Sequence, residues 1–172
     1  DCTFYNHAQV GARMALRALD RLHFPKVMAE VIVHLVRHHM FYYNVGEVTD
    51  AGIRRFVRRV GAEYIDDLIK LREADRIGSG VAKAVPYKLR HFLFMIEKVK
   101  HDPLSPSMLA LDGTELMALL DIPPSPRVGW ILNALLEEVL DDPTKNTKEN
   151  LEARSLNLAT RTDEELRAIA EK

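Results

Sequence analysis

Between its prolines and glycines this chain repeats one pattern, apolar residues every three or four positions. From His7 to Leu22 the stripe is Ala12, Ala15, Leu16, Leu19 and Leu22, with Arg13, Arg17, Asp20 and Arg21 on the other side. Asn6 stands where an N-cap is expected, and Pro25 disfavours helical geometry at Phe24. Pro25 then opens "KVMAEVIVHLVRHH", a segment apolar nearly all round and therefore expected to be the central buried helix. Thr49 caps "DAGIRRFVRRV" and Gly61 stops it. "EYIDDLIKLREADRI" runs to the Gly-Ser-Gly at 78–80, and Pro86 opens "YKLRHFLFMIEKVK".

Past a Pro/Ser stretch at 102–107 the helices shorten. Asp112 with Glu115 and Thr162 with Glu165 have capping-box spacing, and Ser125-Pro126 is an N-cap followed by an N1 proline. Pro143 ends that helix and Thr147 starts another. No segment alternates with period two between hairpin turns, so the expected fold is all-α.

The Pro/Ser stretch coincides with a change of charge. Residues 1–101 hold 17 Lys and Arg against 11 Asp and Glu, whereas residues 102–172 hold 7 against 14. All seven histidines lie in the basic part. This predicts a helical domain over 1–101 and a helical tail over 102–172. A basic half joined to an acidic one points to polyanion binding by the first, or to ordinary surface charge. The single cysteine, Cys2, excludes an internal disulfide framework and fits a reducing cytoplasm. No apolar run is long enough for a membrane span.

Three groups of side chains could carry chemistry. On "DAGIRRFVRRV", Ile53, Phe56, Val57 and Val60 form the buried stripe and leave Arg54, Arg55, Arg58 and Arg59 opposite, as two i,i+4 pairs. Guanidinium forks match phosphate oxygens, so a nucleic-acid backbone is one partner; salt bridges to the acidic half are the other reading. His34 and His38, one turn apart, can aim two imidazoles at one metal, with His7, His39 and Asp75 as further ligands, or they are hydrogen-bonded packing. At "PSPRVGWIL" a helix N-terminus with Arg127 beside it suits phosphate, or is a plain helical corner packed by Trp130.

"TFYNHAQVGA", "LVRHHMF", "VTDAGIRRFVRRVG" and "LIKLREADRIGSG" together resemble the HD domain of bacterial tRNA nucleotidyltransferases and poly(A) polymerases. "LALDGTELMALLDIPPSPRVGWILNALLEEVLDDPTKNTKENL" resembles the RNA-binding tail of the same enzymes. The likeness covers residues 3–152. It implies an HD-like helical bundle followed by a smaller helical region, a fragment that holds tRNA or another RNA while a catalytic head, upstream of residue 1, adds nucleotides from CTP and ATP with Mg²⁺. This chain would then carry no transferase chemistry and no cofactor of its own. Phosphate contacts are expected from Arg54, Arg55, Arg58 and Arg59, then from Arg127, Lys145 and Lys148. By the same likeness His7, His38 or His39, and Asp75 match part of an HD metal site whose first His and His-Asp doublet also lie upstream. Such a remnant is expected to hold a divalent metal weakly or not at all. Two rival readings stand beside it: a metal-dependent HD phosphohydrolase of nucleotides or cyclic phosphates, and a module that pairs with a second copy through exposed apolar surface.

Overall fold

A computed structural model describes residues 6–41, 43–80 and 85–170; Cys2 lies outside them. Among the described residues there are helices and no strand, so the protein is all-α. The helices are α1 (His7–Arg21), α2 (Lys26–His38), α3 (Asp50–Val60), α4 (Ile65–Gly78), α5 (Tyr87–Lys98), α6 (Gly113–Leu120), α7 (Pro126–Asp141), α8 (Lys148–Leu158) and α9 (Asp163–Ala170). None of them is long and apolar enough to cross a membrane.

The chain divides into two compact units. One takes residues 1–48 and 59–95, the other 49–58 and 96–172. The charge change in the sequence falls at 101/102, but the division by contacts falls at 95/96. It also assigns most of α3 to the second unit.

In the first unit α1 packs along α2, and α2 also meets α4. The turn between α1 and α2 closes through Leu22 N–H to Ala18 O and Phe24 N–H to Leu19 O, both 3.0 Å, with His23 in the left-handed region at φ 54°. Asn6 occupies the N-cap position of α1 but is itself left-handed (φ 58°), and its side chain makes no cap bond. The expectation that α2 is the central buried helix fails. Only Ala29 is buried along it, Val27 is 74% exposed and Met28 49%. A helix apolar all round needs neighbours all round, and α2 packs chiefly on α1 and to a lesser extent on α4, so its outer apolar residues face solvent.

The second unit has the larger core. Ile131, Leu135, Leu136, Val139 and Leu140 of α7 pack with Leu111, Leu116 of α6, Leu151 and Leu158 of α8 and Leu166 of α9. The ends of these helices follow the sequence signals. Asp112 accepts from the N–H groups of Thr114 (2.8 Å) and Glu115 (2.9 Å), and Glu115 reaches back to the Asp112 N–H, a complete capping box. Thr162 and Glu165 exchange the same pair of bonds at α9, and the Thr147 hydroxyl accepts from Asn150 N–H at α8. Ser125 and Pro126 open α7 at N-cap and N1, without a side-chain cap bond.

Candidate nucleic-acid interface

On α3 the apolar stripe is as expected, with Ile53, Phe56, Val57 and Val60 all buried. The arginines are not one open face. Arg54 is buried; its Nε donates to Asp102 at 2.6 Å and its Nη1 to the Leu140 carbonyl at 2.9 Å. Arg55 donates to Glu137 (3.0 Å) and Asp141 (2.9 Å). Arg58 donates to the other Glu137 oxygen (2.5 Å) and to Asn133 Oδ1 (2.8 Å). Glu137 therefore bridges two guanidinium groups, and three consecutive turns of α7 present their polar atoms to one turn of α3. The salt-bridged reading of this helix describes Arg54, Arg55 and Arg58. Arg59 alone of the four is exposed.

This network sets a pH response. The Arg55 guanidinium, chiefly through its hydrogen bond, holds the Asp141 carboxyl below the usual aspartate range. A depressed carboxyl contributes stability above its ordinary value, about 4, and that contribution is lost as pH falls through the lowered one. Asp141→Asn is therefore expected to flatten the decline in thermal midpoint below about pH 4, and to leave the neutral-pH midpoint lowered. The Asp141 side chain is 60% exposed, so the effect is a change of slope rather than collapse. An unchanged acid limb in the variant would remove Asp141 from the account.

The second set of cations is also engaged. Arg127 pairs with Asp163 and donates through Nη2 to the carbonyls of Ala159 and Arg161, both 2.8 Å, closing the end of α8 onto the start of α9. Lys148 donates to Glu115 at 2.6 Å, which holds that exposed carboxyl below its usual range. Lys145 is exposed, and its charge acts on Asp141 and Asp142.

The imidazoles are placed as follows. His34 Nε2 lies 2.6 Å from the Val60 carbonyl, which is the hydrogen-bonded packing reading, and the His38 ring sits 4.6 Å from it. Burial, with the charges of His34, Arg59 and Arg37, lowers the His38 pKa. The rings of His7 and His39 meet edge-on at 5.7 Å, and His39 Nδ1 is occupied by the Val36 carbonyl at 2.6 Å. Asp75 pairs with Arg72 at 3.4 Å. Among the described residues no three His, Cys, Asp or Glu side chains come together in a way that could hold a metal ion. The described residues of this group therefore offer no ligand set for a divalent metal.

One basic surface stands open. Arg13, Arg17 and Arg21 recur at i, i+4 and i+8 on α1, opposite buried Ala8, Ala12 and Leu19. All three are exposed, and none makes an ion pair among the described residues. At 1.5 Å per residue they mark a row with steps of about 6 Å. The sequence shows these arginines as the outer face of an amphipathic helix. What would have singled them out is the shortage of acid on that face, where only Asp20 intervenes.

Comparison with known proteins bears on what this surface serves. No family model matches the chain, and no solved structure matches it. It is 38% identical over 165 residues, 96% of its length, to a CC-adding tRNA nucleotidyltransferase of Thermus thermophilus. It is 34% identical over 139 residues, 78% of its length, to an A-adding tRNA nucleotidyltransferase of Deinococcus radiodurans. The matches cover 36% and 31% of those relatives, so the chain spans about a third of the length of the curated proteins it resembles. Across nearly all of its residues, then, the chain is homologous to part of the tRNA nucleotidyltransferases.

Proposed function

We propose that this chain is the tRNA-holding part of a tRNA nucleotidyltransferase, which positions the RNA 3′ end for nucleotide addition by a head outside these 172 residues. The observation that carries this reading is the match over 96% of the chain to a CC-adding enzyme, joined by a match to an A-adding one. Relatives that add different nucleotides share this segment. A segment common to both suits the substrate they have in common, tRNA, better than it suits the choice of base. Selection of CTP or ATP, and Mg²⁺ chemistry, would then reside in the head.

The open arginine row of α1 is the first phosphate contact on this reading, with Arg59 and Lys145 as further exposed cations. Arg55, Arg58, Arg127 and Lys148 each already hold a carboxylate, so a phosphate would have to share or displace it. Buried Arg54 is a structural residue. Phosphate contacts position an RNA without reading its sequence, which fits an enzyme family that must accept many tRNAs.

The test is binding of deacylated tRNA between 50 and 200 mM salt, conditions under which counterion release dominates affinity (about 0.7–0.9 per phosphate contact in the log–log slope). Arg13→Gln/Arg17→Gln/Arg21→Gln is expected to reduce the magnitude of that slope by about 2–3, without change in helical content. Absence of salt-dependent binding by the parent chain would overturn the tRNA-holding reading. An unchanged slope in the variant would move the contacts off α1.

A further inference from the structure

The first unit contains a cleft of about 220 Å³ whose lining includes three cations, Arg72, Arg76 and Lys88, and three aromatic rings, Phe41, Tyr43 and Phe92. No Asp or Glu lines it. Its apolar wall is ordered: Phe41 and Phe92 stack at 4.8 Å and 20°, and Tyr43 meets Phe92 edge-on at 4.7 Å. The Tyr43 hydroxyl is paired with His91 Nδ1, and burial raises its pKa, so the phenol stays neutral and adds no negative charge to the wall. Arg72 and Arg76 are half-buried one turn apart on α4. The Arg72 guanidinium stands over the Phe41 ring at 5.9 Å and donates to the Met40 sulfur and, at 3.4 Å, to Asp75. Lys88 lies in the first turn of α5, which holds no acidic residue, and its ammonium is steered by a neutral acceptor, the Asn44 amide oxygen at 2.7 Å. A lysine at a helix N-terminus adds its charge to the positive end of the macrodipole instead of offsetting it.

We propose that this cleft binds one nucleotide unit, its phosphate held by Arg72, Arg76 and Lys88 and its base against the Phe41 wall. The volume is below the ~300–1,000 Å³ of sites that enclose a whole small-molecule ligand, so one ring and one phosphate are accommodated and a dinucleotide is not. Arginine supplies the fork geometry that a phosphate needs, and an apolar aromatic wall gives a base contact without reading its identity. The unit is either a free mononucleotide or a residue of an RNA strand. The inference stands on the cleft and does not depend on the tRNA-holding reading.

The experiment titrates the 172-residue chain with AMP, CMP, adenosine and a short single-stranded RNA, following binding by calorimetry and by NMR shifts of the Phe41, Tyr43 and Phe92 rings. AMP and CMP are expected to bind at least tenfold more tightly than adenosine and to shift those rings. Lys88→Glu and, separately, Arg76→Gln are expected to weaken AMP at least tenfold while circular dichroism and the thermal midpoint show each variant folded. Two variants on different helices guard against the failure of either to fold. If the RNA shifts the same rings and is weakened by the same variants, the ligand is a strand residue. If only mononucleotides do so, it is a free nucleotide. Either result supports the cleft. Equal binding of AMP and adenosine, or AMP binding that neither folded variant weakens, or no ring shift at millimolar AMP, overturns it. Salt-dependent tRNA binding lost with the α1 variant but kept by Lys88→Glu would leave the tRNA-holding reading intact whatever the cleft does.

Discussion

Leu135→Ala is expected to lower the stability of the second unit by about 2–5 kcal/mol, the range for a buried leucine cut back to its Cβ. Leu135 has no exposed surface, and it lies in mid-helix on α7, the element that packs with both α6 and α9. The core around it is fully buried, with Ile131, Val139 and Leu140 of α7 and Leu116, Leu158 and Leu166 of its neighbours at no more than 1% exposure, so the site has little freedom to collapse around the lost atoms. The lost transfer energy and the residual cavity therefore add. Urea unfolding followed by Trp130 fluorescence reads this unit, since Trp130 packs against the same core. A loss under about 1 kcal/mol would mean that the core is looser than the burial of its leucines states.

Arg54→Ala is expected to be the largest effect among the arginines of α3, on the order of 3 kcal/mol. The Arg54 side chain is 9% exposed and Asp102 26%, so the pair sits near the buried limit but is partly screened on one side. Removing the guanidinium leaves a carboxylate and the Leu140 carbonyl without their donor, and it is this stranded pair that costs more than the salt bridge contributes. Asp102→Asn in the same background separates the two: with the charge gone, most of the Arg54→Ala penalty should be recovered, a coupling of about 1–3 kcal/mol in a double-mutant cycle. Additive losses would show that Arg54 acts through its contact with the carbonyl alone. Either way, an alanine scan across α3 reports folding at position 54 and is no test of RNA contact there.

The local elements were legible because local signals decide them. The stripe Ile53–Val60, both capping boxes and the proline that opens α7 all appear where residue type and spacing place them. Arg54 was not legible, because it borders the stripe beside Ile53 and its fate depends on Asp102, 48 residues away. That aspartate reads in the sequence as the start of a linker. The α2 helix misleads for a related reason: an apolar helix signals that it wants burial, not that neighbours exist to provide it. Periodicity is likewise silent on where α3 belongs. Bonds to Asp102 and to α7 tie it to the second unit, and the separations of the α7 carboxylates from the arginines run from 79 to 86 residues. On the cleft, the sequence shows Arg72 and Arg76 one turn apart but gives no sign that Phe41 and Lys88 will line the same cleft.

That long separation has a consequence for how the chain is made. During synthesis α3 leaves the ribosome about 80 residues ahead of Glu137, an interval of roughly 4–16 s at the usual elongation rates. Over that time Arg55 and Arg58 have no native carboxylate to meet, although Arg54 gains Asp102 after 48 residues, and the second unit cannot close. The residues of the first unit are complete by position 95, well before α7 exists. Synthesis therefore makes the residues of the first unit available while α3 still lacks its α7 partners, and the second unit closes around a helix that was made early.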